Sequence, residues 1–249
     1  MLALYCVFRS NGASVELPRA ITGSPTFLVS EGDLGAAVSD LGDSGPGDIR
    51  ESALAHHRVI EALHRQLTVI PVRYGAFVHD RSEIERLLAD KQQQYLATLE
   101  EIQGCVEMTI RVRTGRSLPH ASPSPVMPSS TERTSREDLG SGTAYLARRR
   151  AELQHEAAFD ERLSATGERY RKPFEGLFRH VKVEPASGGI DRDAGCEFLA
   201  LHFLIPDMQV EPFRTIFRRL HQHTSGQTMM SGPWPPYNFV TPADSLATS

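Results

Sequence analysis

The sequence predicts an α+β fold in two domains. Short apolar and β-branched runs alternate with amphipathic helical segments, which is typical of mixed folds. A stretch rich in proline and serine, residues 114–137, divides the chain. Because proline interrupts both helices and central strands, we expect a flexible linker there. The predicted units are an N-terminal domain at 1–113 and a C-terminal domain at 138–249.

The N-terminal half has the pattern of a modified ferredoxin-like α+β domain. Its first segment is apolar on both faces, as a central strand requires, and its last strand alternates apolar and polar residues. Ser82 and Glu85 form a predicted capping box at the start of the second helix. The predicted elements are strands at 2–8, 26–30 and 34–41, a helix at 49–66, a strand at 68–72, a helix at 82–102 and a strand at 106–112.

The C-terminal half predicts an α+β domain with a long helix and a small antiparallel sheet. The expected elements are a polar helix at 142–170, strands at 174–184 and 196–205, a helix through 213–220, and a strand at 227–231. An extended tail, GPWPPYNFV at 232–240, contains the only tryptophan of the chain. We expect it to pack across its own domain or to present aromatic side chains to a partner.

Composition excludes several classes of function. The chain has 249 residues, a net charge of −4 and no apolar run near the ~20 residues that cross a bilayer. We therefore expect no membrane partner and no nucleic-acid partner, and a soluble, cytoplasmic protein. Cys6, Cys105 and Cys196 lack the spacing of a thiolate metal site and are expected to be reduced, the first and last as buried strand residues.

The search for catalytic chemistry yields one candidate. The sequence has no nucleotide-binding glycine loop and no short hydrolase or metalloprotease motif. His57, Glu61 and His64 share one face of the predicted helix and could hold a metal ion, although a solvated polar face is the alternative. His56 lies on the apolar stripe and is predicted to be a buried core histidine. We predict no catalytic residue, cofactor or metal.

Three segments stand out as motifs. AHHRVIEAL and TVIPVRYGAFV occupy 55–63 and 68–78, GTAYLARRR occupies 142–150, and GPWPPYNFV occupies 232–240. In this order and spacing they resemble the GvpF/GvpL family of gas vesicle proteins over nearly the whole chain. The motif residues, and candidate partner-binding residues, are Pro71, Arg73, Tyr74, Gly75, Tyr145, Trp234, Pro235, Pro236 and Tyr237.

The resemblance implies a non-enzymatic accessory or minor structural protein that gas vesicle assembly requires. It implies binding to the gas vesicle shell protein and to other gas vesicle accessory proteins, and a location in the gas vesicle, with its gas-facing surface as one candidate. It does not distinguish GvpF from GvpL. Two other hypotheses stay open: a metal-dependent enzyme that uses His57, Glu61 and His64, and a small-molecule-binding regulator.

Overall fold

The computed structural model describes residues 1–10, 12, 15–20, 23–42, 48–116, 149, 163–187, 196–222 and 228–240. The strands are β1 Leu2–Arg9, β2 Thr26–Glu31, β3 Leu34–Asp40, β4 Val69–Pro71, β5 Phe77–Val78, β6 Cys105–Arg116, β7 His180–Ser187, β8 Cys196–Pro206 and β9 Thr228–Trp234. The helices are α1 Ile49–His64, α2 Arg81–Asp90, α3 Gln92–Glu101, α4 with described residues 163–171, and α5 Val210–Gln222. This mixed architecture with antiparallel sheets confirms the predicted α+β class.

The first sheet has the order β2-β3-β1-β4, with β5 also pairing to β1. Strand β1 is buried along nearly its whole length, as predicted for a central strand. Gly32, with φ of +55°, allows the tight turn from β2 to β3. Helix α1 packs Ile60 on one face of this sheet, in the core cluster of Tyr5. Helices α2 and α3 pack in the core cluster of Leu4.

The second sheet has the order β7-β8-β6-β9, and all its neighbours are antiparallel. Along the chain its elements follow as β6-α4-β7-β8-α5-β9, which is the ferredoxin-like order. One face carries α4 and α5 over an aromatic core. The rings of Phe174 and Phe213 stack there with centroids 4.2 Å apart, beside Phe203.

The prediction placed the strand at 106–112 in the N-terminal half, and that placement is wrong. The structure pairs this segment, β6, with β8 and β9 on the far side of the predicted linker. The ferredoxin-like order therefore occurs in the second sheet, and the modified ferredoxin-like arrangement expected for 1–113 is not confirmed. Alternating apolar residues show that one face is buried, but strand partners are set by non-local contacts.

Several predicted boundaries also change. The helix predicted at 82–102 is two helices, because the backbone at Lys91 leaves the helical region with φ of −107° and ψ of 15°. Asp80 and not Ser82 caps α2, since its carboxylate accepts from the Glu83 amide. Phe174 lies in a 3-10 turn, so the predicted strand begins only at His180. Most of the predicted linker and of the helix at 142–170 lies outside the described residues.

The two sheets share part of one core. Leu204 of β8, Cys105 of β6 and Val240 of the tail pack in the cluster formed by α2, α3 and one face of the first sheet. The Arg179 guanidinium donates to the Glu101 carbonyl oxygen at 2.9 Å and fixes the end of α3. The second sheet thus has helices on one face and the first sheet on part of the other.

Gly232 is expected to tolerate no side chain. Its φ is +115°, and a Cβ atom there would lie 2.6 Å from the Glu107 carbonyl oxygen and 2.9 Å from Met108 Sδ. Gly232→Ala should therefore lower the free energy of unfolding by roughly 2–4 kcal/mol in a urea titration. Gly176→Ala is the matched control, because Gly176 has φ of +83° and an added Cβ atom there would meet no atom within 4 Å. Equal losses in the two variants would contradict the steric argument.

Candidate functional site

Helix α1 carries a histidine pair that contacts the segment TVIPVRYGAFV and the C-terminal segment GPWPPYNFV. His56 is buried, and its Nε2–H donates to the Val72 carbonyl oxygen at 2.9 Å. Its ring lies 4.9 Å from the Tyr5 ring centroid and 5.7 Å from that of Tyr74. Burial lowers the pKa of His56, more than the hydrogen bond to Val72 raises it. The predicted buried core histidine is confirmed.

The segment after β4 is built around this histidine. Pro71 is the buried last residue of β4, as predicted, and Gly75 takes φ of +103° in the turn before β5. The Tyr74 ring lies nearly perpendicular to the His56 ring, at an interplanar angle of 77°. Arg73 is exposed and forms no ion pair with a described residue. Pro71 and Gly75 therefore shape the backbone near α1 and Tyr74 packs against His56, while Arg73 is exposed.

The second histidine, His57, holds the C-terminal motif. Its Nδ1 lies 3.1 Å from the Tyr237 hydroxyl, and its ring centroid lies 5.4 Å from that of Trp234. Burial raises the pKa of the Tyr237 phenol, which therefore stays neutral. Pro235 and Pro236 are buried, whereas Trp234 keeps 37% of its surface exposed. The tail packs inward and still presents one aromatic face.

The buried carboxylate of Glu107, in β6, holds the C-terminal tail through Asn238. It accepts from the Asn238 backbone N–H at 2.9 Å and from Asn238 Nδ2 at 2.7 Å. His202 Nδ1 lies 3.1 Å from the same carboxylate, and Thr109 Oγ1 lies 3.3 Å away. Sequence reasoning missed this cluster. Glu107 lies at a polar position of the alternating strand β6 and gives no signal, and only His202 interrupts the apolar run of β8.

The structure does not assemble the metal-binding alternative. Glu61 binds the Arg65 guanidinium at 2.6 Å, and His57 is engaged by Tyr237. Among the described residues, no group of three or more histidine, cysteine, aspartate or glutamate side chains could hold a metal ion. His64 instead lines a cleft between α1 and the second sheet.

The cysteines behave as buried apolar residues where the structure describes them. Burial raises the pKa of Cys6 to about 12 and raises that of Cys105 as well. Both thiols are therefore protonated at neutral pH, as expected for core residues. The side chain of Cys196 and the whole of Tyr145 lie outside the described residues.

Two of the three motif segments thus meet at one histidine pair on α1. A family model described as gas vesicle synthesis protein GvpL/GvpF matches residues 2–241. The chain belongs to the GvpL/GvpF family. Gas vesicle protein L of Streptomyces sp. (strain CB03234) is 24% identical over 251 residues, which cover 95% of this chain and 91% of that protein.

Two crystal structures of GvpF proteins share the fold of this GvpL/GvpF chain. The protein from Microcystis aeruginosa gives a TM-score of 0.68 at 15% identity and covers 96% of this chain and 98% of its own. The protein from Anabaena sp. PCC7120 gives a TM-score of 0.65 at 15% identity, and the match covers 96% of this chain and 95% of that protein. Family membership supports a role in gas vesicle assembly. No helix among the described residues has the length and apolar character to cross a membrane.

Acidification should destabilise the protein through His56. Its folded-state pKa lies below the ordinary value of 6.5, so below that pH the unfolded chain binds a proton that the folded chain does not. The contribution of neutral His56 to the free energy of unfolding is fully present above about pH 6.5. It is lost as the pH falls toward the lowered pKa, by at most about 1.4 kcal/mol per pH unit.

The measurement is the free energy of unfolding by urea at several pH values between about 7 and 5. His56→Gln should reduce the slope in this window. The matched control is His79→Gln, because the His79 side chain is 84% exposed. If the free energy of unfolding of His56→Gln depends on pH as steeply as that of the wild type, His56 is not the source of the pH dependence.

Removal of the Asn238 amide should leave Glu107 short of a donor. We expect Asn238→Ala to lower the free energy of unfolding by about 2 kcal/mol, because a buried carboxylate then loses a charge-assisted hydrogen bond. Gln66→Ala removes an exposed amide that also makes hydrogen bonds, to Glu16 and Ala62, and should cost less than about 1 kcal/mol. If Asn238→Ala and Gln66→Ala lower the free energy of unfolding by similar amounts, the hydrogen bond from Asn238 to Glu107 has no special importance for stability.

Proposed function

We propose that this chain is a non-enzymatic accessory or minor structural protein of gas vesicle assembly. In this proposal it binds the gas vesicle shell protein and other gas vesicle accessory proteins, and it associates with the vesicle, with the gas-facing surface as a candidate location. The match of residues 2–241 to the family model carries the assembly role. The convergence of two motif segments on His56 and His57 supports a rigid binding body.

The exposed motif side chains support a role in recognition. Trp234 offers a partly open indole whose other side is held by His57, so little conformational entropy is lost when a partner covers it. Arg73 stands in solvent without an ion pair to any described residue. Large aromatic residues and arginine dominate the binding energy of many interfaces, which makes these two the candidate contacts.

The same proposal includes two units, one for each sheet. The N-terminal unit contains the first sheet with α1, α2 and α3, and the C-terminal unit contains the second sheet with α4 and α5. The boundary falls near Gly104, where φ of +66° ends the turn after α3. Because the tail crosses from β9 to α1, we propose that the units act as one body in binding.

Affinity capture tests the proposed partner. The tagged chain is recovered from cells that also express a candidate major shell protein, with a tag-only control. We expect specific recovery of shell protein, and a loss of at least about fivefold in Trp234→Ala, because interface tryptophans often contribute more than 1 kcal/mol. Arg73→Ala should also reduce recovery.

Phe27→Ala is the matched control, since Phe27 is an aromatic residue that is 36% exposed on β2 of the first sheet. Equal loss in both aromatic variants would indicate a general effect of surface hydrophobicity. If folded wild-type protein recovers neither the shell protein nor any accessory gas vesicle protein, the binding proposal is wrong.

A further inference from the structure

A cleft of about 580 Å³ opens at the joint between the two sheets. The last turn of α1 and the following residues form one wall, and the start of β6 forms another. The tail closes the cleft with Pro233 and Pro235. This volume lies within the range of clefts that bind small ligands. The cleft uses none of the histidine-pair contacts that hold the motifs together.

The charges around the cleft favour a cation. Asp207 lines the cleft and forms no ion pair with a described residue. Arg65, a cation in the lining, is held by Glu61 at 2.6 Å. Helix α1 ends at His64, so the negative end of its dipole also lies here.

The histidine in the wall does not oppose this charge. Burial lowers the pKa of His64 more than the Asp207 carboxylate raises it, so the imidazole is neutral at pH 7. Among the residues that the structure describes, the cleft is therefore lined by one carboxylate without an ion pair, beside a neutral ring and a helix C-terminus.

Part of the remaining lining is apolar and would contact a long aliphatic stem, beside the polar side chains of Gln66 and Thr68. Leu67, Val106 and the two tail prolines contribute carbon surface next to the acidic end of the cleft. A side chain with a methylene stem and a cationic head could thus cover apolar surface while its head reaches Asp207.

We propose that this cleft binds an arginine side chain of a protein partner. A guanidinium presents several N–H donors in a plane, which can serve the Asp207 carboxylate and nearby acceptors together, and it is less strongly hydrated than an ammonium group. The inference rests on the proposed function, because it supplies the kind of contact by which a gas vesicle partner would be recognised. The partner surface predicted here presents an arginine side chain whose methylene stem meets the apolar part of the cleft.

A small probe tests the cleft without any partner protein. We would titrate the full chain, labelled with ¹⁵N, with N-acetyl-arginine N-methylamide and follow the amide resonances of Gly104 and Val106. The citrulline analogue has nearly the same shape without the charge, and the lysine analogue has the charge without the planar donors. We expect saturable shifts with the arginine probe and weaker binding of both analogues, by at least about fivefold.

Asp207→Asn should weaken binding of the arginine probe by at least about fivefold, since it removes the charge and keeps the shape. The backbone N–H of residue 207 still donates to the Gly104 carbonyl oxygen, so the fold is retained. Asp90→Asn, at the end of α2, is the control and should leave affinity unchanged. Equal binding of citrulline or lysine, or no effect of Asp207→Asn, would overturn the proposal.

Affinity capture of the shell protein separates this inference from the function on which it rests. In one outcome, wild type and Asp207→Asn both recover the shell protein, and the arginine probe causes no shifts. This outcome contradicts the arginine site and leaves the proposed function intact. In the other outcome, wild type recovers no shell protein, but the arginine probe binds and its binding depends on its charge. This outcome contradicts the proposed binding of the shell protein and supports the arginine site.

Discussion

The joint between the two sheets depends on the buried carboxylate of Glu107. A charged group without water is costly unless donors surround it, and two of its donors belong to Asn238. This pair fixes the chain just after Pro235 and Pro236. Tyr237 is thereby placed against His57 of the first sheet, and Val240 enters the core of α2 and α3. One polar contact in the second sheet thus sets where the tail meets the first.

The two motif segments are used in complementary ways around α1. The segment after β4 gives its Val72 carbonyl to His56 from within the first unit. The tail brings the Tyr237 hydroxyl to His57 from the second unit. Adjacent residues on a helix point about 100° apart, so one helix can receive contacts from two directions. The histidine pair therefore works as a structural connector, and its motifs are explained by packing before any partner is considered.

Local patterns explain what the sequence could predict. The apolar run at β1 and the helical stripe of α1 each depend on residues close in the chain, and both elements form where expected. The partners of β6 depend on residues about 90 positions away, and alternation carries no information about them. Glu107 occupied a position expected to face solvent. The tail, folded back over β6, makes that position interior, so the alternating pattern could not identify Glu107 as an anchor.

The cleft depends on the docked tail, as the joint between the two sheets does. Its walls come from α1, from β6 and from the tail prolines, so it exists only while the tail is docked and the sheets are joined. A ligand that binds this joined state and not the separated one must stabilise it, by an amount that grows with ligand concentration relative to the dissociation constant. Partner binding and the integrity of the joint are then thermodynamically linked. Under the proposed function, substitution of Glu107 or Asn238 would therefore weaken binding at the cleft without changing any residue of its lining.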